Sequence, residues 1–409
     1  MQEVHESIWE KATALAHKFY RIPFSSVRFK HQEIQDAIRI VLSGNAVDGP
    51  YVDRAQDAFS SWAKRQAVGT NSGEAAIYAA LASCKNGEVI LPSYACGSIL
   101  YAVKRAGAKP VYADVNDQYN MQPEHVEEKQ TPRTVAVVVP SLYGLPAALQ
   151  DIKKTLGDGV RLVDDAAQCM GARHRGRLVG TFGEAGVISF ASKTITAPGG
   201  GMLLSSNNDL CDNAKAMEAE KTGSVLYRAL DMMARYRYRK KMLPLLTVKH
   251  FVEQAVKKKK QRTYARISNL DALFAFKQRH DIEGINQARK NNAKILAEEL
   301  EAVVKVPEEN REHVYSKFVI QLPFKTPGGA HKSADMTRFV RLMAKQGVEC
   351  EWGYTPLHRR FGGGKNLENT EKLSATSIAI PNHADLDPGQ VADVAAAVKH
   401  VLRQIRPVS

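Results

Sequence analysis

Between residues 73 and 163, short apolar runs rich in β-branched residues alternate with helical patterns. The apolar runs are nearly uninterrupted, as in strands buried on both faces, and each intervening stretch is long enough for a helix. Such alternation is typical of a parallel sheet that helices cover on both sides. The sequence therefore predicts a doubly wound, mainly parallel α/β domain. The predicted strands are 88–91, 110–115, 134–139 and 159–163, and the predicted helices are 73–84, 97–106 and 146–155.

Polar or aromatic side chains directly follow three of these predicted strands. They belong to Tyr94, to residues 141–144, and to Asp164 and Asp165. In doubly wound domains, ligands bind beyond the carboxyl ends of the parallel strands. We therefore expect the three segments to converge on one rim and to form a ligand site there.

The chain of 409 residues is long enough for more than one hydrophobic core. A helical pattern within residues 1–30 predicts an amino-terminal helical extension. The predicted large domain spans residues 31–262. The pattern then changes to a long helical stretch followed by renewed strand-and-helix alternation. This change predicts a smaller α/β carboxyl-terminal domain over residues 263–409.

Composition and local patterns argue against several classes of protein. The amino terminus is acidic and lacks the apolar run of a signal peptide, and no apolar stretch approaches the ~18 residues that span a bilayer. The five cysteines are scattered and contain no Cys-x-x-Cys pair, so neither a disulfide framework nor a structural zinc site is predicted. These features predict a cytoplasmic protein without a metal site.

Most of the formal charge of +14 lies in one segment. Residues 228–262 contain twelve Lys or Arg, two acidic residues and interleaved Tyr and Leu. Such a segment is either a solvated helical insertion or a surface for an anionic membrane or glycolipid, which would make the protein peripheral to the membrane. Nucleic acid is the less favoured partner because no nucleic-acid-binding motif accompanies the charge.

A carboxylate and a lysine stand out near the predicted rim. Asp165 follows an apolar strand, and Lys193 comes 28 residues later in a turn of small residues. An amine in a partly desolvated pocket has a lowered pKa and becomes nucleophilic, and a buried carboxylate holds the proton of a pyridine nitrogen. The pair predicts an enzyme that forms a Schiff base with pyridoxal 5'-phosphate. Taken singly, Lys193 is typical of a surface lysine and Asp165 of a helix N-cap.

Residues 69–75, Gly-Thr-Asn-Ser-Gly-Glu-Ala, open the first predicted helix of the sheet domain. Backbone N–H groups at a helix start, together with the positive end of the helix dipole, bind phosphate groups. Ser72, Gly73 and Glu74 are therefore the predicted phosphate cradle, with an ordinary N-cap turn as the alternative. Gln168, three residues after Asp165, is either a donor to the phenolic oxygen of the cofactor or a solvated amide.

Six short motifs occur along the chain in a fixed order. They are Val47-Asp48-Gly49-Pro50, Leu91-Pro92-Ser93-Tyr94, residues 107–114, residues 142–147, Asp165-Ala166-Ala167-Gln168 and residues 354–358. Together they resemble the DegT/DnrJ/EryC1/StrS family of sugar aminotransferases, which have the fold type I architecture. The similarity runs from about residue 31 to the end and is interrupted by the basic segment.

This resemblance implies a homodimer whose active sites lie at the subunit interface. It implies that Lys193 forms the Schiff base, that Asp165 pairs with the pyridine nitrogen and that Gln168 contacts the phenolic oxygen. The family's usual reaction moves an amino group from glutamate to a keto carbon of a nucleotide-linked deoxysugar, for surface polysaccharide, lipopolysaccharide or natural-product sugars. The residues implied at the phosphate are Gly73, Glu74 and Ser189.

Several positions of the implied cofactor pocket depart from the family pattern. Glu74 stands where the family has Thr, and we expect its carboxylate to turn toward solvent while its backbone N–H binds the phosphate. Cys96 aligns with the ring-stacking aromatic residue, which leaves Tyr94 as the candidate for stacking. Tyr264 aligns with the Asn that the partner subunit offers to the phosphate, and its hydroxyl is the candidate replacement.

Three alternatives to the implied reaction follow from the same residues. A dehydratase of the family would carry His in place of Lys193, so the lysine favours transamination. A keto sugar acid without a nucleotide is a second acceptor that the positive charge suits. A catalytically silent binding protein is the third alternative, because the phosphate and stacking positions are altered.

Overall fold

Seven strands form one sheet at the centre of the large domain in the computed structural model, which describes residues 21–26, 28–191, 193–237, 263–324, 334–364 and 367–405. In chain order the strands are β1 (Gln66–Thr70), β2 (Glu88–Pro92), β3 (Lys109–Ala113), β4 (Thr134–Pro140), β5 (Arg161–Asp165), β6 (Arg173–His174), β7 (Arg177–Leu178), β8 (Ala185–Ser189), β9 (Gly201–Ser205), β10 (Phe318–Gln321), β11 (Glu351–Trp352) and β12 (Ser377–Ile380). The seven-stranded sheet has the order β1-β9-β8-β5-β4-β2-β3. Only β9 runs against the other six strands. The predicted mainly parallel α/β fold is confirmed.

Helices pack on both faces of this sheet and around the small carboxyl-terminal domain. They are α1 (His31–Leu42), α2 (Pro50–Ala63), α3 (Gly73–Leu81), α4 (Gly97–Arg105), α5 (Pro123–Glu127), α6 (Leu149–Thr155), α7 (Asn208–Lys215), α8 (Thr222–Arg237), α9 (Asn269–Gln278), α10 (Ile282–Leu300), α11 (Ala334–Lys345), α12 (Leu357–Phe361), α13 (Glu368–Thr376) and α14 (Pro388–Ile405). The apolar run of β4 supplies both cores, because successive side chains of a strand point to opposite faces. Val137 and Val139 join the core with α1, α2 and α9, whereas Ala136 and Val138 join the core with α3, α4 and α7.

The small domain is built on a three-stranded antiparallel sheet in the order β10-β12-β11. Its core contains Phe318, Ile378, the carboxyl-terminal half of α10, α11 and α14, and it also takes in Ile22 from the amino-terminal segment. Residues 267–282 pack in the large-domain core instead. The change from one core to the other therefore falls within α10 rather than at residue 263. Residues 1–20, where the amino-terminal helix is predicted, lie outside the described residues.

Several elements differ from the sequence pattern. Strands β1, β8 and β9 were not predicted, because each is a five-residue run that contains glycine, alanine or serine and has no clear alternation. The long helical stretch predicted after residue 262 is divided into α9 and α10 by a 3-10 turn at Arg279–Asp281. The carboxyl ends of β1, β5 and β8 lie at the same edge of the sheet, and this edge positions the site.

Candidate active site

The chain leaves three strands at this edge through residues that the sequence singled out. β1 leads through Ser72 into α3, β5 ends at Asp165, and β8 ends at Ser189 shortly before Lys193. Here lies a cavity of about 510 Å³, which we name the helix-end cavity. Its lining includes Gly73, Glu74, Cys96, Asp165, Gln168, Ser189 and Lys193. The structure thus brings seven of the predicted site residues to one space.

A more open space adjoins the helix-end cavity on the side of the α3 amino terminus. Ser72 and Tyr264 line it together with Glu74, Ser189 and Lys193. Ser72 and Tyr264 therefore belong to the same site as the other predicted residues. Tyr94 lines neither space.

Lys193 is partly buried at the wall of the helix-end cavity. Burial is the largest influence on its pKa and lowers it, and the nearby Lys317 ammonium lowers it further. Cys96, Glu351 and Asp165 act in the opposite direction, but the net pKa stays below the ordinary lysine value. A lowered pKa leaves more of the amine unprotonated near neutral pH, and the unprotonated amine is the form that attacks a carbonyl.

One buried arginine holds the turn that carries Lys193. Arg289 of α10 donates from Nη2 to the Lys193 carbonyl oxygen at 2.9 Å and from Nη1 to Thr194 Oγ1 at 3.0 Å. Arg289 could not be singled out from the sequence, because it lies 96 residues beyond Lys193 in an ordinary helical pattern. No local motif marks it, and only the packing of α10 against the turn reveals its role.

Asp164 and Asp165 end the same strand, but their side chains make different contacts. Successive residues of a strand point to opposite faces. Asp164 Oδ2 accepts hydrogen bonds from the backbone N–H groups of Gly180 at 2.7 Å and Phe182 at 3.0 Å, so it organises a loop. Asp165 lines the helix-end cavity. Burial raises its pKa to about 6, while the backbone N–H of Ala167 and the Lys193 ammonium favour its charged form.

Asp165 does not cap a helix, because a turn rather than a helix follows it. Gln168 lies in that turn and is buried. Its Oε1 accepts from the backbone N–H of Tyr143 at 3.2 Å, and its Nε2 donates to the Tyr354 hydroxyl at 2.8 Å. The solvated-amide alternative therefore does not hold, and the two bonds fix the orientation of the amide at the cavity wall.

The backbone of the residue 142–144 turn explains the glycine of the Tyr-Gly motif. Tyr143 has φ of 57° and Gly144 has φ of 98°, so both lie in the left-handed region. A Cβ on Gly144 would lie 2.6 Å from the backbone nitrogen of Ser316. The Gly144 carbonyl accepts from Val314 N–H at 2.8 Å, which ties the turn to the small domain. Only glycine allows this close approach.

Tyr94 lies in a buried cluster of tyrosines behind the site. Its hydroxyl is 2.9 Å from that of Tyr143, and its ring centroid is 5.5 Å from that of Tyr119 and 5.6 Å from that of Tyr354. Burial raises the pKa of Tyr94 to about 12. The ring packs against other tyrosines and does not line the cavity, so this structure does not place Tyr94 where it could stack on a cofactor. Cys96 lines the cavity instead.

The amino terminus of α3 carries both a helix N-cap and the predicted phosphate site. The Ser72 hydroxyl accepts from the backbone N–H of Ala75 at 3.1 Å, so its oxygen serves as the N-cap. Gly73 allows a close approach to β8, since a Cβ there would lie 3.0 Å from the Ser189 Cβ. The first turn of α3 and the Ser189 side chain therefore border the same space, at the positive end of the helix dipole.

Glu74 differs from its sequence-based expectation. Its side chain does not turn to solvent: the residue is only 8% exposed, and Oε1 accepts a hydrogen bond from the Tyr264 hydroxyl at 2.8 Å. The Tyr264 ring also packs on Tyr78, with the ring centroids 4.8 Å apart. The carboxylate stays inside because the Tyr264 hydroxyl supplies a neutral donor to it within the chain. A negative charge consequently stays beside the predicted phosphate cradle.

Pyridoxal phosphate fits the helix-end cavity in four respects. Lys193 offers an amine of lowered pKa, and Asp165 offers a buried carboxylate suited to a protonated ring nitrogen. Gln168 presents an oriented amide at the wall. The space kept open at Gly73, beside Ser189 and the helix start, suits a phosphate.

Arg228, the first residue of the basic segment, is structural rather than part of a surface. It donates to Glu220 and, at 2.6 Å, to the buried Asp271, and its guanidinium fills the space beside Gly199. Residues 238–262 lie outside the described residues. Among the helices that the structure describes, none combines the length and the apolar content needed to cross a membrane.

An arrangement of this kind defines a fold type I enzyme that uses pyridoxal phosphate, and more narrowly a transaminase. The chain belongs to the DegT/DnrJ/EryC1/StrS aminotransferase family, whose model matches residues 28–399.

Relatives and solved structures agree with this membership. The chain is 30% identical over 343 residues to L-glutamine:2-deoxy-scyllo-inosose aminotransferase of Streptomyces kanamyceticus, covering 78% of this chain and 74% of the relative. It is 23% identical over 367 residues to GDP-perosamine synthase of Vibrio cholerae, covering 86% and 91%. The putative sugar aminotransferase Spr1654 of Streptococcus pneumoniae, solved in its PLP form, has a similar fold with a TM-score of 0.74 at 17% identity, covering 94% and 100%.

Proposed function

We propose that this chain transfers an amino group from glutamate to the keto carbon of a nucleotide-linked deoxysugar. The observation that carries the proposal is the meeting of Lys193 and Asp165 in one cavity at the start of α3. The acceptor class is supported by the name of the GDP-perosamine synthase relative. The comparisons support the acceptor class more than they support glutamate as the amino donor, since the name of the other relative specifies L-glutamine.

Each residue has a defined part in this reaction. Bound pyridoxal phosphate supplies the aldehyde that condenses with amines and the ring that withdraws electrons from the substrate carbon. Lys193 holds the cofactor and afterwards moves a proton at its Nζ, which its lowered pKa permits near neutrality. Asp165 keeps the ring nitrogen protonated. Gln168 orients the ring edge, and the first turn of α3 holds the phosphate.

A titration with pyridoxal phosphate tests the proposal. The wild type should develop the visible absorption band of a lysine bonded to the cofactor aldehyde, and glutamate should bleach that band. Lys193→Ala should show no such band, whereas the matched surface variant Lys215→Ala, whose lysine pairs with Asp212 at 3.0 Å, should behave as the wild type. A wild type without the band would favour the silent binding protein.

The acceptor and the donor are tested with the same preparation. Nucleotide-linked 4-keto and 3-keto deoxysugars should be aminated with either glutamate or glutamine supplied. If the enzyme aminated a keto sugar acid but none of the nucleotide-linked sugars, the acceptor would be the sugar acid without a nucleotide. If glutamine bleached the visible band and glutamate did not, glutamine would be the amino donor in place of glutamate.

A homodimer with active sites at the subunit interface completes the proposal. The resemblance to the family supports this part of the proposal, and Leu42 of α1 and Leu230 of α8, which are 82% and 65% exposed, are positions that a second subunit would cover. Sedimentation of the wild type should give a dimer, and Leu42→Glu or Leu230→Glu should weaken it. Binding to an anionic membrane through residues 228–262 stays a prediction, and flotation with phosphatidylglycerol vesicles tests it.

A further inference from the structure

Three buried polar side chains follow one another along α10, the helix that leads from the large domain into the small domain. They belong to Asn286, Arg289 and Asn292, which are 5%, 6% and 7% exposed. Side chains at three-residue intervals form a continuous row on a helix. A buried polar side chain is costly unless it is hydrogen-bonded, so each of the three needs a partner. We name these three residues the polar row.

The first two members of the polar row hold two turns of the site. Asn286 Nδ2 donates to the carbonyl oxygen of Met170 at 2.9 Å, and Met170 lies in the turn that contains Gln168. Arg289 Nη2 donates to the carbonyl oxygen of Lys193 at 2.9 Å. Both donors belong to one helix, which rises about 4.5 Å over three residues. The row therefore fixes the spacing between the Gln168 turn and the Lys193 turn.

A glycine makes the first of these contacts possible. Gly171, directly after Met170, has φ of 83°, in the left-handed region. A Cβ at this position would lie 2.6 Å from Ile282 Cγ2 and 2.9 Å from Asn286 Nδ2. The glycine therefore lets α10 approach the Gln168 turn more closely than a residue with a side chain would allow.

The turn that carries Lys193 has a second anchor at its other end. Gln278, the last residue of α9, is 3% exposed. Its Oε1 accepts from the backbone N–H of Thr196 at 2.8 Å, and its Nε2 donates to the Thr196 carbonyl oxygen at 3.1 Å. Residues 193–196 lie outside helix and strand. Side-chain bonds from α9 and α10, rather than a backbone ladder, therefore hold this turn.

The third member of the row connects the site to the small domain. Asn292 Nδ2 donates to the carbonyl oxygen of His383 at 3.1 Å, and His383 follows β12. The core changes along the same stretch of α10, since Ile282 packs in the large-domain core and Ala293 in the small-domain core. The polar row therefore lies at the junction of the domains, where the small domain and the Lys193 turn are linked through one helix.

We infer that the polar row positions the Lys193 amine relative to the side chains of Asp165 and Gln168. Asn286 and Arg289 are then positioning residues, since they act through the backbone of the two turns. A displacement of about 1 Å costs about 100-fold in rate where a group must meet a reacting atom. The inference rests on the proposed function, because the amine has to reach the substrate carbon in that reaction.

Replacing each donor by an apolar side chain of similar size tests the inference. Asn286 lies outside the lining of the helix-end cavity, so Asn286→Leu should lower kcat by about 10-fold to 100-fold and change KM by less than about 3-fold. Arg289→Met should lower kcat by a similar factor. Arg289→Lys keeps the charge and one donor for the Lys193 carbonyl, so it should be faster than Arg289→Met. Asn291→Leu is the matched control on the exposed side of α10, where Asn291 accepts from Gln287 at 2.9 Å, and it should behave as the wild type.

A second readout does not depend on turnover. Burial keeps the pKa of Lys193 low, so a loosened turn that admits water should raise it. The rate at which the apoprotein captures pyridoxal phosphate rises with pH as the amine loses its proton. Its midpoint should move to higher pH in Asn286→Leu and Arg289→Lys, neither of which removes a charge. Loss of stability alone would lower the folded fraction without moving the midpoint. Both variants leave in place the ionisable groups that act on the amine, namely Lys317, Cys96, Glu351 and Asp165.

The double variant shows whether the two donors hold one spacing. If they do, Asn286→Leu combined with Arg289→Met should lose little more activity than the slower single variant, since the spacing is already lost. A combined loss equal to the product of the two single losses would mean separate roles and would overturn the inference. A wild-type kcat and an unmoved midpoint in Asn286→Leu would also overturn it.

The visible band of the cofactor is recorded for every variant, which separates the inference from the proposed function. A wild type that shows the band but transfers no amino group would overturn the proposed function, while the capture midpoints would still decide the inference. An active wild type with unchanged Asn286 and Arg289 variants would overturn the inference alone. A wild type without the band would overturn both.

Discussion

The helix-end cavity shares Lys193 with a second space, which lies between the large and small domains and is named the small-domain cavity, but the charges of the two linings differ. The helix-end cavity is lined by small side chains, a helix start and two carboxylates, Asp165 and Glu74. The small-domain cavity is lined by the cations Arg28, Arg289 and Lys317. A protonated ring nitrogen would be stabilised on the first side. Lys193 therefore lies between the predicted cofactor site and a space with a basic lining.

The difference also separates backbone recognition from side-chain recognition. On the helix-end side, a phosphate would be held by backbone N–H groups and by the hydroxyl of Ser189, with Glu74 opposing it. On the small-domain side, the cationic groups belong to arginine and lysine side chains. Departures from the family pattern fall on the helix-end side, at Glu74, Cys96 and Tyr264.

Lys193 lies in the wall of both cavities, so its removal affects both of them. We expect Lys193→Ala to lower transamination by about 10⁴-fold or more, since it removes both the bond to the cofactor and the proton carrier. Rates of amino transfer measure the effect. Retention of more than about one hundredth of the wild-type rate would contradict the role of this lysine.

The adjacent residues Asp164 and Asp165 test whether the reaction needs a carboxylate in the helix-end cavity. Asp165→Asn should lower the rate by about 100-fold or more, because an amide cannot keep the ring nitrogen protonated. Asp164→Asn should leave the rate per folded molecule within a few-fold and lower the free energy of unfolding by about 1–3 kcal/mol, because it leaves a buried amide donor unpaired. Urea unfolding and steady-state rates separate them. Equal rate losses in the two variants would show that strand geometry, not the Asp165 charge, matters.

Glu74 tests the charge beside the cradle. Glu74→Gln keeps an acceptor for the Tyr264 hydroxyl and removes the negative charge. We expect pyridoxal phosphate to bind about 5-fold to 10-fold more tightly, which corresponds to about 1 kcal/mol of relieved repulsion in a polar site. Equilibrium titration of the apoprotein measures this. Weaker binding would mean that the carboxylate supports the phosphate site through its bond to Tyr264.

Lys317 couples the two cavities through charge, and its removal gives the smallest effect. Its ammonium lowers the pKa of Lys193, so Lys317→Met should raise that pKa. Glu351 would lose its partner and favour the Lys193 ammonium further. The rate at which the apoprotein captures pyridoxal phosphate rises with pH as Lys193 loses its proton, and its midpoint should move to higher pH. Lys305→Met, which removes a lysine paired with Asp117 at 3.2 Å, should leave the midpoint in place.

The sequence predicted the features that are local and periodic. The β4 run of valines and the spacing of the strands were enough for the sheet. The sequence also singled out Lys193, Asp165 and Gln168, which the structure brings to one cavity. Residues 66–70 and 185–205 did not show their strands, because those runs lack a clear period. The boundary of the small domain was placed too early because a helical pattern does not tell which core a helix joins.

Contacts between distant residues could not be predicted. Glu74 meets Tyr264 across 190 residues, and Gln168 meets Tyr354 across 186. Arg289 reaches the Lys193 turn only because α10 packs against it. Tyr94 was the candidate for ring stacking, but its ring is held by Tyr119 and Tyr143 in a cluster formed from three separate loops. Each of these relations depends on tertiary packing, which the order of residues alone does not encode in a readable motif.

The role of Lys193 is tested most directly by identifying the lysine that bonds to the cofactor. Two lysines, Lys193 and Lys317, lie close enough to influence each other. Borohydride reduction of the protein loaded with pyridoxal phosphate, followed by peptide mass spectrometry, fixes the modified residue. We expect modification at Lys193 alone. Modification at Lys317, or at surface lysines without Lys193, would show that Lys193 is not the residue that bonds to the cofactor.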